Sequence, residues 1–429
     1  MAQAVTDYSE MAQWLKMSES QGTVPPGTTI TMANWKQYQQ FMPLGMIKLF
    51  EGLYTWKMPA DVQMNVGASH PGNLPASWAA ATEKYSPQTS VQVLPNGHYV
   101  IKNYHGGTPF PNPQEPNKGW KALANVFFAY VPAAYVKPTG QYATVWVMDR
   151  FGNIAASSID VVYRWTDYIT AKGFPVTETY APGTWYTEWL MQETPEQARY
   201  TAALSMFYSD QEGHPFPDTY VFVPALRRSL RLSTTARCSP VFGFDWTNDD
   251  AKTNGFNGST STYTGHYLGD RKILNLLAYD GKATGDFPKD YDMPLGFPKP
   301  SWGKWEVRDM AIDDVTRIPS EAAGYCYSHR ILYADKELWD ANWVDLYDSN
   351  NKLWKSIAYL NQIGPNANGQ YRWKDVTSMA WDLQNTHATI YCPYCDPQKT
   401  GAYLDLNAPK EYLNGVKYGS PSGLMQIMQ

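Results

Sequence analysis

Between Ser328 and Leu360 the chain reads SHRILYADKELWDANWVDLYDSNNKLWKSIAYL, with large apolar residues at alternating positions and two interruptions by polar turn clusters. A period of two belongs to a pleated strand, whose successive side chains point to opposite faces. Ile331 and Tyr333, then Trp339, Trp343 and Leu346, then Leu353 and Trp354 carry the pattern. Asp335-Lys336-Glu337 and Asp348-Ser349-Asn350-Asn351 supply the turn chemistry. Three strands joined by short turns predict a broad antiparallel sheet. Trp339 and Trp343, four residues apart on one predicted strand, are expected on the same face, where such rings must be covered or used.

The remaining sequence extends this sheet. Tyr142 to Met148, the turn Asp149–Asn153 and Ile154 to Trp165 read as a hairpin. Further strands are expected at Thr187–Gln192, Thr201–Ser209, Thr219–Pro224 and Arg227–Leu232, then from Trp302 to Ile312 and up to Tyr391. No βαβ alternation occurs, so the strands predict an antiparallel meander. Short helices are expected over Met32–Phe41 with Thr31 as N-cap, over Leu44–Phe50 and over Asn117–Tyr130, with a helix-like piece at Thr247–Asn254. Prolines crowd Gly106–Pro116, which is read as an extended arm. The fold class is thus mainly β (α+β), read as one domain over 1–429. Residues 1–120 form an N-terminal arm with short helices, 121–392 the sheet with helical insertions, and 393–429 a loop-rich tail.

Charge and composition exclude some functions. The 35 basic and 40 acidic residues leave a net charge of −5, so no cationic field gathers nucleic acid. Aromatics make up 15% of the chain and charged residues only 17%, a balance of β structure and ligand-contacting surfaces. No apolar run is long enough for a membrane-spanning helix. Ala2-Gln3-Ala4 resembles the small-residue end of a cleaved leader, the expectation for an exported protein whose leader is absent from this chain, with a native cytosolic start as the alternative.

Sequence motifs for chemistry are sparse. The seven histidines lack metal-ligand spacing, and neither a nucleophile elbow nor a phosphate-binding glycine loop is present. No metal, cofactor or catalytic residue is assigned. Asp245, Asp249 and Asp250, and Asp309 with Asp313 and Asp314, are read as solvated loop acids; the alternatives are a divalent-cation site, acid–base work or, for Asp249 and Asp250, a helix cap. Arg227, Arg228 and Arg231 form a basic strip suited to a lipid head group or an acidic partner, with edge-strand protection as the plainer reading. On a strand, Arg227 and Arg231 would share one face. Cys238, Cys326, Cys392 and Cys395 allow two disulfides, with Cys392–Cys395 closing on itself as one pairing and zinc binding as an alternative.

Several spaced segments together resemble one family. These are Trp35-Lys-Gln-Tyr38 leading to Gly45–Phe50, the Gly106-Gly107…Pro109-Phe110-Pro111 arm, and Tyr220…Val223-Pro-Ala-Leu-Arg227-Arg228…Arg231-Leu232. Phe256-Asn-Gly258 with Tyr267–Lys272, His329–Tyr333 with Asp335, and Leu346-Tyr347-Asp348 before Leu353-Trp354-Lys355 complete the pattern. From about Ile30 to Pro393 the chain resembles the domain of unknown function 1329 family, whose members are similar to bacterial outer-membrane lipoprotein carriers.

The resemblance implies an unclosed, curved antiparallel half-barrel with helices across its concave side, and a periplasmic or outer-membrane-associated protein. It implies a non-enzymatic carrier for a lipid-like or other hydrophobic molecule. The candidate ligand-binding rings are Trp146, Tyr163, Trp165, Phe207, Tyr220, Phe222, Trp339 and Trp343, because apolar sites bind through buried area. The alternatives are an interaction partner of an outer-membrane or efflux transport complex, and a polysaccharide-binding module.

Overall fold

The computed structural model describes residues 9–52, 56–137, 142–174, 183–233, 237–252, 254–277, 285–361, 375–393, 395, 403–404 and 407–428. The strands of its large sheet begin with β1 (Ala134–Val136), β2 (Ala143–Met148), β3 (Ile154–Trp165), β4 (Thr184–Thr194), β5 (Ala202–Tyr208), β6 (Asp218–Val223) and β7 (Arg228–Arg231). They continue with β8 (Tyr263–Leu277), β9 (Lys304–Arg317), β10 (His329–Asp335), β11 (Ala341–Tyr347), β12 (Leu353–Asn361), β13 (Asp375–Asp382), β14 (His387–Cys392) and β15 (Tyr403–Leu404).

All of these belong to one large sheet made of two meanders. Strands β2 to β7 pair in sequence, as do β8 to β14, and the last strand of the second meander pairs with the first strand of the first. This β14–β2 seam makes the two halves one surface. The sheet is not closed into a barrel: β7 and β8 stand at its ends, and β8 meets β12 only through the parallel bridge of Leu277 and Asn361. The antiparallel meander and the mainly β class expected from turn chemistry are therefore present.

Both faces of the second meander are covered. Buried apolar residues alternate between two clusters along each strand: Ile331 and Tyr333 against Leu332 and Ala334 in β10, Ala358 and Leu360 against Ile357 and Tyr359 in β12. Helices α1 (Ser9–Met17) and α2 (Leu44–Glu51) belong to the N-terminal arm, which covers one face. Helix α3 (Ala76–Tyr85) packs through Trp78 against Trp165 of β3, and the other face lies under α4 (Lys118–Phe127) and residues 237–252 and 254–257. Trp120, Leu123, Ala124 and Phe127 of α4 recur at helical spacing and are all buried. Gly119 allows α4 to reach the sheet, since a Cβ there would stand 2.2 Å from the Gly265 carbonyl oxygen. In the first meander, the face bearing Trp189, Leu204 and Phe222 is covered by the C-terminal tail, where Tyr418 packs edge-on against Trp189 at 5.2 Å.

Several local expectations are corrected. Met32–Phe41 forms two 3₁₀ turns, Trp35–Gln37 and Gln39–Phe41, rather than an α-helix. The Asn34 side chain accepts from the Thr31 amide at 2.7 Å, and Pro43 forces Met42 into an extended conformation. Residues 247–252 close as turns through Asp250 N–H to Thr247 C=O at 3.0 Å, not as a helix.

Trp339 lies in the turn before β11 with φ of +58°, its amide donating to Asp335 C=O at 2.6 Å. It packs in the cluster under α4, whereas Trp343 packs in the opposite one, so the two do not share a face. Arg227, at φ +49°, is likewise a turn residue. Among the three arginines only Arg228 and Arg231 are on β7, and their odd spacing puts them on opposite faces.

Candidate functional site

An apolar cavity lies at the seam between the meanders. Its floor follows the cross-strand register: Tyr359 of β12 stands opposite Ser378 of β13, Ser378 opposite Tyr391 of β14, and Tyr391 opposite Val145 of β2. Ile159 and Tyr163 of β3 and Leu190 of β4 extend this floor. The roof is a hairpin whose ends are bridged at Pro240 and Thr247 and whose Val241 amide donates to Trp246 C=O at 2.9 Å. Phe242, at φ +50°, and Gly243 turn its tip, so Val241, Phe242, Phe244 and Trp246 close over the floor. The cavity is half open and has a volume of about 70 Å³. That is roughly half of a cavity that takes up benzene, so a longer chain enters only if the hairpin tip moves.

The hairpin base is fixed by covalent and ionic ties. Cys238 is bonded to Cys326. Asp245 accepts from Thr389 Oγ1 at 2.6 Å and pairs with His387 Nδ1 at 2.8 Å, and Lys355 Nζ donates to the Asp245 carbonyl at 2.8 Å. The hydrogen bond to Asp245 raises the His387 pKa against the opposing effect of burial.

Asp249 and Asp250 are fully buried, which corrects the solvated-loop reading. Asp249 pairs with Arg237 and with Arg317 Nη2 at 3.2 Å and accepts from Tyr263 and from Tyr325 OH at 2.8 Å. Burial pushes its carboxyl up, but the two guanidiniums and the Tyr263 hydroxyl overcome this and hold it well below the usual range. Asp250 pairs with Arg330 at 2.7 Å and accepts from Tyr327 OH at 3.0 Å and Thr247 Oγ1 at 2.8 Å. Asp313 and Asp314 are buried as well. Among the described residues, no three His, Cys, Asp or Glu side chains converge on a metal position.

Two further groups border the cavity region without being free for chemistry. Lys252 Nζ donates to Phe127 C=O at 2.8 Å and lies over the Phe127 ring. Glu188 accepts from Tyr186 OH at 2.8 Å and Asn257 Nδ2 at 3.0 Å, and burial raises its pKa.

The eight rings singled out in the sequence do not form one site. Tyr163 lines the cavity. Trp165 packs 5.1 Å from Trp185, and Phe207 packs 5.3 Å from Tyr186. Phe222 is buried and Tyr220 half-buried; both alternate onto the tail-covered face. Trp146 stacks on Phe287 at 4.1 Å and Trp343 on Trp381 at 5.6 Å, both on the face covered by the N-terminal arm. The cavity residues that sequence reasoning missed include the roof, Val241 to Trp246, the seam residues Tyr359 and Tyr391, and Val145, Ile159 and Leu190 of the floor. A run of Phe242, Phe244 and Trp246 outside any strand was the available signal.

Cys392 and Cys395 form a disulfide with an S–S distance of 2.03 Å, as one of the readings had it, and the Cys238–Cys326 bond settles the connectivity.

The chain is similar to a solved DUF1329 family protein from Desulfovibrio piger, with 13% identity and a TM-score of 0.47 over 71% of this chain and 100% of that one. It is also similar to a LolA superfamily protein from Nitrosomonas europaea, with 13% identity and a TM-score of 0.39 over 69% of this chain and 97% of that one. No curated protein matches. The model of the family described as "Protein of unknown function (DUF1329)" matches residues 29–412, and the chain belongs to that family.

Proposed function

We propose that this protein is a non-enzymatic binding or carrier protein for a hydrophobic molecule, held between the sheet and the 240–247 hairpin. The observation that carries this reading is the seam cavity, whose lining is dominated by Val145, Ile159, Tyr163, Leu190, Phe242, Phe244, Trp246, Tyr359 and Tyr391. Such a surface gains about 25 cal/mol for each Å² of apolar area taken from water and orients its ligand through few polar groups. Phe242 and Phe244 pack over the floor, and an entering chain replaces these contacts with its own.

An envelope location fits the two disulfides, because such bonds persist in oxidising compartments. Among the described residues no helix is long and apolar enough to cross a membrane. The buried ion pairs under the hairpin balance one another's charge, which supports a structural role for them rather than a catalytic one.

Native mass spectrometry with solvent extraction of the purified protein, together with titration by fluorescent fatty-acid analogues, tests the proposal. A co-purifying apolar molecule, or saturable binding that Phe244→Asp weakens, is the expected result. Neither bound molecule nor saturable binding would remove the carrier reading.

A further inference from the structure

The cavity continues into an apolar row that reaches the edge of the sheet. Leu190 of β4 lines the cavity and stands opposite Ala203 of β5. Ala203 stands opposite Val221 of β6, and Val221 opposite Leu230 of β7. Residues directly opposite one another share a face, so these four side chains form one line across four strands. Leu190, Ala203 and Val221 are half-buried and Leu230 is 37% exposed, unlike their neighbours Trp189, Leu204 and Phe222, which the tail buries on the other face. Three inter-strand steps of about 4.8 Å give the row a length of about 14 Å beyond the cavity.

The row is narrow, with Val223 on the same face beside Val221 of β6. On one side lies the polar line of Glu188, Ser205 and Thr219, in which Ser205 and Thr219 bond to each other at 3.2 Å. This width suits one alkyl chain and not two. At the outer end, Arg228 is two residues from Leu230 on the same strand, and therefore on the same face. Arg228 is exposed, and among the described residues no carboxylate pairs with it. Arg231 points to the other face, where Asp218 takes its charge. The inner end offers no comparable place for an anion, since Lys252 is committed to the Phe127 carbonyl and Asp250 lines the cavity beside it.

We propose that the ligand is a single-chain anionic amphiphile that lies with its chain along Leu190, Ala203, Val221 and Leu230, its tail end in the seam cavity and its head group on Arg228. This deepens the reading of the cavity as a binding site and rests on it. Charge complementarity at the edge selects the head group, and the length and width of the row select the chain.

Binding to the full chain is measured by calorimetry with three probes: palmitoyl lysophosphatidylglycerol, palmitoyl lysophosphatidylcholine and octanoate. The anionic lysolipid is expected to bind about tenfold more tightly than its zwitterionic counterpart, as a charge-assisted contact provides. Arg228→Gln should abolish that difference without changing the melting temperature. Val221→Asp should weaken both lysolipids and leave octanoate, which at half their chain length enters under the displaced hairpin tip without reaching Val221, unaffected. Equal affinity for the two lysolipids, or binding indifferent to both substitutions, overturns this inference while leaving the cavity as a binding site. Binding of none of the three probes, with native circular dichroism retained, overturns both.

Discussion

Asp249 shows how much of this molecule's polar chemistry is internal. Its two oxygens are shared by Arg237, Arg317, Tyr263 and Tyr325, so removing the carboxylate leaves two buried guanidiniums without a counter-charge. Asp249→Asn is expected to cost about 3–5 kcal/mol of stability, measured by urea denaturation. Asp314 behaves in the opposite sense. Burial raises its pKa to about 8 and lowers that of His329, 2.9 Å away, to about 4, so a neutral acid faces a neutral imidazole at pH 7. A carboxyl with a folded pKa above its unfolded value binds protons more tightly when folded, so its contribution is present below about pH 4 and is lost as pH rises towards 8. His329 acts in reverse, but only below about pH 6.5. Between pH 6.5 and 8.5 the buried acids therefore dominate this site, Asp313 in the same direction as Asp314. Melting temperature should fall across that window, and Asp314→Asn should flatten the fall; an unchanged slope would refute the assignment.

At the scale of elements, the strands were legible because a period of two is written locally, and β10 to β12 follow the turns at Asp335 and Asp348. The face of Trp339 was not legible: one residue in a left-handed turn breaks the parity that spacing assumes. The hairpin roof was hidden for a different reason. Its anchors join residues far apart in sequence, such as Cys238 to Cys326 across 88 positions and Asp245 to His387, and no local pattern announces such ties. The candidate rings were chosen for being on strands, whereas three of the cavity's aromatics, Phe242, Phe244 and Trp246, are on the loop that covers them. Breaking the tie with Cys238→Ser and Cys326→Ser together should lower stability by about 2–4 kcal/mol, read by denaturant midpoint. The same double variant should speed ligand release, because the hairpin base then loses its covalent anchor; release at the wild-type rate would show that the base is not a hinge.

Across the whole molecule, the two meanders meet at the β14–β2 pair, and the apolar cavity lies on that seam. The N-terminal arm and the C-terminal tail cover the opposite surfaces, which removes Trp146, Trp343 and Phe222 from competition for a ligand. In the proposed reading the ligand follows one narrow course from the roofed cavity to Arg228. Photo-crosslinking with a palmitate analogue carrying a diazirine near its tail end, followed by peptide mass spectrometry, tests this placement most directly. The account predicts adducts on the 241–246 hairpin and on the β4 segment around Leu190. Adducts on Trp146, Trp343 or the 407–428 tail, with none at the hairpin, would contradict it.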